Sequence, residues 1–529
     1  MSSGEEWSRA GWRAHLPDIG DSGAFVGRLG AETVPALAAE SARRAGGRLA
    51  VAIDGEGVTH ARLDADAGRL AGWLAGRTDP GDRVLLAAGS SLGFLRCYLA
   101  ALRAGAVVVL ANPAGTAAEL GHLVSDSGAV IAFADPGPAE RLAQLGGPQR
   151  GLPVVGIRDL AAVLASGPDL APRPRPEDTA LLAYTSGTTG RPKGVPLTHR
   201  ELATSVGSAM AAWRWTGDDV LVHALPLFHQ HGLGGVHATL IAGSTAHLLS
   251  RFSPAGLITA VAEAGASVLF GVPTMYQALA DAPSLPGAAA AGALRSLRLA
   301  ICGSAPLSPE LAERLRPALG MLPLVRYGTT ETGLDVSNPI ADPRGDTVGL
   351  PLPGVLARIW SGGAEAPAGT DGEIQLRGPQ VFGGYWRDPA ATAAAFTPDG
   401  WFRTGDIGCV DPGTGHLVIR GRIKELIITG GMNVYPREVE LVLERHPSVA
   451  EAVVGGVPHQ RWGEQVTAWV VLRPGHRLDE EELVAHARTV LSPYKCPKRV
   501  FELESVPRND LGKVLRAALT AGESGLPRR

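Results

Sequence analysis

Hydrophobic spacing along the first 170 residues alternates between two periods. Apolar positions three and four apart predict helices over 32–45, 63–74 and 94–103, and short apolar runs at 84–88, 107–111 and 130–134 predict buried strands. Strands alternating with helices predict a doubly wound α/β architecture. A proline-rich stretch at 170–178 predicts a surface connector. A second α/β series follows, with strands at 220–224, 246–249, 267–270, 298–302 and 324–327 and a helix after His231. From 345 to 420 the pattern changes to short strands broken by Gly/Pro turns. The last hundred residues mix helices (436–445, 479–491) with strands (449–457, 465–471), which predicts a small α+β domain.

Length and composition narrow the class. At roughly 150 residues per domain, 529 residues give three or four units. Hydrophobic residues at 45% and charged residues at 19% exclude a disordered chain, which lacks the apolar surface to offset ordering entropy. The formal charge of −3 argues against dedicated nucleic-acid binding, because that needs a basic excess to displace counterions. Cys97, Cys302, Cys409 and Cys496 stand far apart with no C-x-x-C pair, so neither a disulfide framework nor a structural zinc is expected. The acidic start differs from a signal peptide, and the uncharged stretch 232–250 carries glycines, histidines and hydroxyls that a membrane span would lack. A cytoplasmic protein without a membrane span is the expectation.

The chemistry begins at Thr185-Ser186-Gly187-Thr188-Thr189-Gly190-Arg191-Pro192-Lys193-Gly194, directly after the apolar strand 180–184. Glycines let the backbone turn tightly and present N–H groups to an anion, and the hydroxyls add donors. The spacing is not that of a Walker loop. This string resembles the signature loop of the adenylate-forming superfamily, which comprises acyl-CoA synthetases, peptide-synthetase adenylation domains and luciferases. Within it the chain is most similar to acyl-CoA synthetases and partly to malonyl-CoA synthetases. The resemblance runs over roughly 33–515 as an ordered series of motifs.

The resemblance implies roles for the later motifs. In Arg326-Tyr327-Gly328-Thr329-Thr330-Glu331, Tyr327 would pack on adenine with Gly328 and Thr329 beside it, Thr330 would lie near the phosphates, and Glu331 would bind Mg²⁺. A hard cation wants oxygen ligands and offsets polyphosphate charge. Gly303-Ser304-Ala305-Pro306 would form the adenine-side turn. Asp406, in Thr404-Gly405-Asp406, would accept from the ribose hydroxyls, with Arg422 as a nearby donor and Lys424 as the hinge. A lysine in a polar turn is ordinarily just solvated. The resemblance instead makes Lys513 the electrostatic clamp near the α-phosphate during adenylation, working with Glu331, Thr185 and Lys193. Gly430 and Gly431 would line the thiol tunnel, and Trp462 would stack on the adenine of coenzyme A.

The acid site follows from the same resemblance. His229 and His231 would stand at its gate, with Gly232, Val272, Ala278 and Gly328 lining the pocket. Malonyl-CoA synthetases carry an arginine where this chain has Ala278. A buried distal carboxylate without a charged partner costs several kcal/mol. A neutral or bulky apolar acid is therefore expected unless another arginine reaches in, with Gly232, Gly234, Gly235 and Ala278 leaving room for it.

These readings converge on a large N-terminal domain (1–423) of stacked α/β subdomains plus a β-rich subdomain. A small mobile C-terminal α+β domain (424–529) would follow. The implied activity is an ATP-dependent acid–CoA ligase using ATP, Mg²⁺ and coenzyme A, as a monomer or homodimer. The alternatives are a malonyl- or methylmalonyl-CoA synthetase and an acyl-AMP ligase loading a carrier protein. An amino-acid adenylation domain fits less well, because no Asp follows Phe228 to pair an α-amino group. A non-catalytic sensor fits least, because Glu331, Asp406, Lys424 and Lys513 are all present.

Overall fold

The computed structural model describes residues 3–18, 22–145, 151–185, 192–509 and 513–520. It builds the early apolar runs into a six-stranded sheet. The order is Val154–Gly156, Ile131–Ala134, Arg83–Ala87, Val107–Ala111, Thr179–Thr185 and Lys193–Thr198. All neighbours are parallel except the last pair, which turns back on itself around the loop of interest. The helices between strands are delimited as their end residues dictate. Ser91 accepts from the Phe94 amide at 3.1 Å to open Leu92–Ala104, and Gly105 ends that helix at φ +82°.

The second series forms a nine-stranded sheet. From one edge it reads Leu350–Pro351, Val336–Ser337, Leu324–Tyr327, Leu299–Cys302, Val268–Gly271, Val220–His223, Thr245–Leu248, Leu49–Ile53 and Glu56–Thr59. One face is sealed by Leu257, Val261, Tyr276, Leu311 and Leu315 around Leu269, Ala300 and Cys302. The other presents Phe270 to Trp213, Trp215, His223 and His231. Two further sheets complete the chain, the second of them mixed because Arg499–Leu503 joins it parallel to Gly463–Leu472. The first holds Leu356–Ser361, Gly372–Arg377, Phe402–Val410 and Leu417–Arg422, with Ala364–Glu365 at its edge. The last is built on the Val449–His459/Gly463–Leu472 hairpin, against which Pro436–Glu444 and Glu480–Val490 pack.

By contacts the chain divides into two units. One runs to Ala357 and adds Leu376–Phe402; the other is Arg358–Gln375 with the chain from Arg403 onward. The second unit thus takes in much of the β-rich segment that the sequence groups with the N-terminal domain. Several elements have no counterpart in the pattern reading, among them a helix and a hairpin near the start of the chain. The helix Ser3–His15 is tied down by the Trp12 indole N–H donating to the Val355 carbonyl at 2.9 Å. The hairpin at Leu49–Thr59 turns at Asp54 (φ +49°) and Gly55 (φ +89°), a residue pair that tolerates the left-handed backbone of a tight hairpin. All four cysteines are buried and unpaired, and burial raises each thiol pKa. No helix among the described residues is long and apolar enough to cross a membrane.

Candidate active site

Ser186, Gly187, Thr188, Thr189, Gly190 and Arg191 lie outside the described residues, but both ends of their loop are placed. Thr185 ends one strand and Lys193 starts the next, and the two are directly paired. Gly194 is needed because a Cβ there would lie 2.9 Å from the Cβ of Trp386 and 3.1 Å from Leu182. Lys193 reaches over the Tyr385 ring, its ammonium 5.1 Å from the centroid.

Tyr327 closes its strand and the chain folds back on itself at once. A Cβ on Gly328 would sit 1.9 Å from the Gly333 carbonyl oxygen, so only glycine permits the approach. Within this loop Thr329 and Thr332 share a hydroxyl contact at 3.0 Å, and the Thr332 hydroxyl donates to Asp335. Gln380 donates to the other Asp335 oxygen at 3.1 Å, and Gln230 donates to the Thr330 carbonyl at 3.0 Å. Asp335 is fully buried, and that desolvation pushes its carboxyl up to about 7. Glu331 is held twice: Phe382 N–H donates to its carbonyl at 2.9 Å, and the Tyr385 hydroxyl donates to its Oε1 at 2.9 Å.

No cluster of three or more His, Cys, Asp or Glu side chains suited to a metal occurs among the described residues. A single carboxylate is what a Mg²⁺ ion carried on a triphosphate requires, since phosphate and water oxygens supply the remaining ligands. Glu331 fits that role.

The residues expected on the acid side begin at the helix Gln230–Ala242, where His229 is the cap. His231 is buried on Phe270 at 5.6 Å, and its Nδ1 contacts the Ser304 hydroxyl at 3.2 Å. Burial, reinforced by Arg326, His223 and His229, keeps its pKa well below the usual histidine value, so the ring is neutral. Ser304 takes a left-handed backbone at φ +72° in the turn Gly303-Ser304-Ala305-Pro306. Arg326 lies against Gly303, where a Cβ would come within 2.3 Å of its Nε. That Nε and the His231 Nε2 are both buried without a hydrogen-bond partner. Val272 and Ala278 are half-buried, at the cap and within the short helix Pro273–Ala280.

The glycines proposed to leave room divide into two kinds. The space beside Gly232 belongs to the Pro226 carbonyl, 2.5 Å from where a Cβ would be, and that beside Gly235 to Leu221 and Phe270. These two allow the helix to pack rather than making room for an acyl group. Gly234 alone of the three faces open space, with nothing within 4 Å.

The remaining candidates lie in the second unit. Asp406 is buried, pairs with the Arg422 guanidinium at 3.2 Å, and sits opposite Arg422 in the strand register. Lys424 is exposed in the single 3₁₀ turn Ile423–Glu425. Gly430 and Gly431 form the left-handed hairpin turn, at φ +57° and +79°, and the Gly430 amide donates to the Trp462 carbonyl at 2.8 Å. Trp462 is half-buried and stacks on His459 at 4.4 Å. Lys513 follows an Asx-type clasp in which its N–H donates to Asn509 Oδ1 at 2.9 Å. The structure thus joins Asp406 to Arg422 and Gly430 to Trp462, as well as Glu331 to Lys193 through Tyr385.

The sequence pattern of AMP-binding enzymes matches residues 38–386, and that of their C-terminal domain matches 438–513. This chain belongs to the AMP-binding enzyme family. Among relatives, a feruloyl-CoA synthase of Amycolatopsis sp is 39% identical over 88% of this chain and 94% of its own length. A mitochondrial malonate–CoA ligase of Mus musculus is 35% identical, covering 83% of this chain and 81% of its own. The solved structure of ATP-bound MatB from Rhodopseudomonas palustris is 37% identical with a TM-score of 0.86, over 93% of this chain and 99% of that one. The AMP-binding enzyme described here is by class an acyl-CoA synthetase, an AMP-forming acid–thiol ligase that works with ATP, Mg²⁺ and coenzyme A.

Asp335, Gln380, Tyr385 and the guanidinium of Arg326 were not assigned roles from sequence. A carboxylate four residues after Glu331 and the Gly-Gly-Tyr-Trp stretch at 383–386 were the available signals.

Proposed function

We propose that the acid this ligase activates is a neutral, bulky monocarboxylic acid. Two observations carry this reading: Ala278 offers no charge, and open space lies beside Gly234. The feruloyl-CoA synthase relative, whose name specifies an aryl acid, supports the same direction.

In the reaction we propose, a carboxylate oxygen of the acid attacks the α-phosphorus of ATP, and the bond to pyrophosphate breaks. Lys193 and Thr185 hold the phosphates in line, so positioning lowers the barrier. Lys513 sets a fixed positive charge where negative charge develops. Glu331 would hold Mg²⁺, which supplies charge neutralisation for the departing pyrophosphate. Tyr327 and the 303–306 turn would seat adenine, while Asp406 and Arg422 would engage the ribose. In the second step the thiol of coenzyme A attacks the acyl carbonyl and AMP leaves, its oxygen keeping the bonding electrons while the thiol proton passes to solvent. Rotation at Lys424 would exchange the Lys513 face for the Gly430–Gly431 turn, with Trp462 beside it.

A dicarboxylic acid such as malonate is the second reading, and Arg326 favours it. Its guanidinium is nine-tenths buried, its Nε is unpartnered, and it acts electrostatically on His231. A buried cation of this kind could take the distal carboxylate that Ala278 leaves unpaired.

A mixed acid panel with Mg·ATP and coenzyme A, read by mass spectrometry of thioesters, decides between them. Thioesters of aryl or other bulky monocarboxylic acids are expected to dominate. Faster turnover of malonate or methylmalonate would overturn the neutral-acid reading, and Arg326→Gln should then erase that preference. Hydroxamate-trapped acyl-AMP without any thioester would point to a carrier-protein arm as the acceptor.

A further inference from the structure

The two halves of the phosphate site come from different sheets. Lys193 begins a strand of the six-stranded sheet, whereas Glu331 follows a strand of the nine-stranded one. The irregular segment 382–386 spans them. At one end the Phe382 amide donates to the Glu331 carbonyl at 2.9 Å. At the other, the Trp386 amide donates to the Gly194 carbonyl at 2.9 Å, with the Trp386 side chain closing the space beside Gly194. The strap itself is fixed. The Trp386 indole donates to the Asp126 carbonyl at 3.0 Å, the Tyr385 amide donates to the Thr392 hydroxyl at 2.9 Å, and the Phe382 and Tyr385 rings meet edge to face at 5.0 Å.

Tyr385 stands in the middle and touches both functional side chains. Its hydroxyl donates to Glu331 Oε1 at 2.9 Å, and its ring carries the Lys193 ammonium 5.1 Å from the centroid. Phenylalanine would fill the same space and offer the same ring to Lys193. The hydroxyl is therefore tied to Glu331 and not to packing. A glutamate side chain has several free rotors, and fixing one oxygen restricts where the other can lie, as partners behind a ligand do at metal sites generally.

We propose that Tyr385 is a positioning residue for adenylation. Its hydroxyl orients the Glu331 carboxylate toward the metal-carried triphosphate, and its ring keeps Lys193 in register with that carboxylate. The inference rests on the roles given above to Glu331 and Lys193.

The test uses the full chain carrying Tyr385→Phe, with ATP binding measured by calorimetry in Mg²⁺ and again in excess EDTA. With Mg²⁺ the variant is expected to bind ATP on the order of tenfold more weakly, the scale of a hydrogen bond to a charged group. In EDTA it should match the wild type. The Mg²⁺ concentration for half-maximal ATP–pyrophosphate exchange should rise by a similar factor while the KM for the acid stays unchanged. Tyr385→Leu, which also removes the ring, should weaken ATP binding in EDTA as well.

Equal losses with and without Mg²⁺ in Tyr385→Phe, or a fall in its melting temperature that accounts for them, would mean packing alone and overturn the proposal. So would wild-type binding under both conditions. Glu331→Gln separates the two layers of the argument. If it weakens Mg·ATP binding while Tyr385→Phe does not, only the role of Tyr385 fails; if Glu331→Gln itself binds Mg·ATP normally, the assignment of Glu331 fails and this inference with it.

Discussion

Lys513 shows how little a single side chain reveals by itself. It is an exposed lysine in a turn, its backbone fixed by the clasp with Asn509. Its charge matters only if it is delivered to the α-phosphate in the first half-reaction. Lys513→Ala should then depress acyl-AMP formation by about two to three orders of magnitude, the usual loss for a preorganised electrostatic group. Thioester formation from supplied acyl-AMP should survive, which rapid-quench assays of the two half-reactions would resolve. Equal losses in both would count against alternation between two faces of the C-terminal domain. Glu331, Asp406 and Lys513 stand out as candidates in the sequence because each sits in a motif with its neighbours in order. Asp335 and Tyr385 do not, because their importance comes from partners distant in the chain: Gln380 for one, Glu331 and Lys193 for the other. A single sequence does not encode such pairings in spacing.

Among elements, the parallel strands were the most legible. Short apolar runs such as Leu299–Cys302 and Val107–Ala111 fall within a residue of where the hydrophobic pattern puts them, because strands covered on both faces are apolar throughout. The helix Ser3–His15 escaped notice because its stability comes from remote partners such as Val355 and Ala357. Small residues were misjudged for a related reason. A glycine in a sequence reads as room, yet its neighbours decide who occupies that room. In the helix Gln230–Ala242, Gly232→Ala should force the Pro226 carbonyl aside and destabilise the protein by about 1–3 kcal/mol. Gly234→Ala, facing open space, should leave the melting temperature nearly unchanged and raise the KM for the bulkiest acids on the panel. Denaturant melts of both variants, paired with acid kinetics, check the contrast.

For the whole molecule, buried titratable groups set opposing limits with pH. Desolvation lowers His223 and His237 to about 3 and His199 to about 4, so all three are neutral in the fold. Their contribution is complete above the ordinary histidine value near 6.5 and is lost as pH falls toward those folded values. Asp335 works in the other direction. With its carboxyl raised to about 7, its contribution is complete below the ordinary aspartate value near 4 and is lost as pH rises through 7. Each such group can bend the stability curve by at most about 1.4 kcal/mol per pH unit. Thermal melts from pH 5 to 9 should therefore show a maximum in the mildly acidic range. Burial raises the Glu201 carboxyl to about 7 as well, so Asp335→Asn should make the alkaline limb shallower without abolishing it and leave the acidic limb intact; an unchanged alkaline limb would place the Asp335 carboxyl on the ordinary titration curve.

The burial of Cys97, Cys302, Cys409 and Cys496 has a practical consequence for following the enzyme at work. Maleimides and Ellman-type reagents attack the thiolate, and each of these thiols is both shielded and held protonated. The folded protein is accordingly expected to be silent toward labelling as it stands. One cysteine placed on an exposed position of the second unit and another on the first would then accept a fluorophore pair with no background to subtract. Any reorientation between half-reactions could be watched as a change in energy transfer, turnover by turnover.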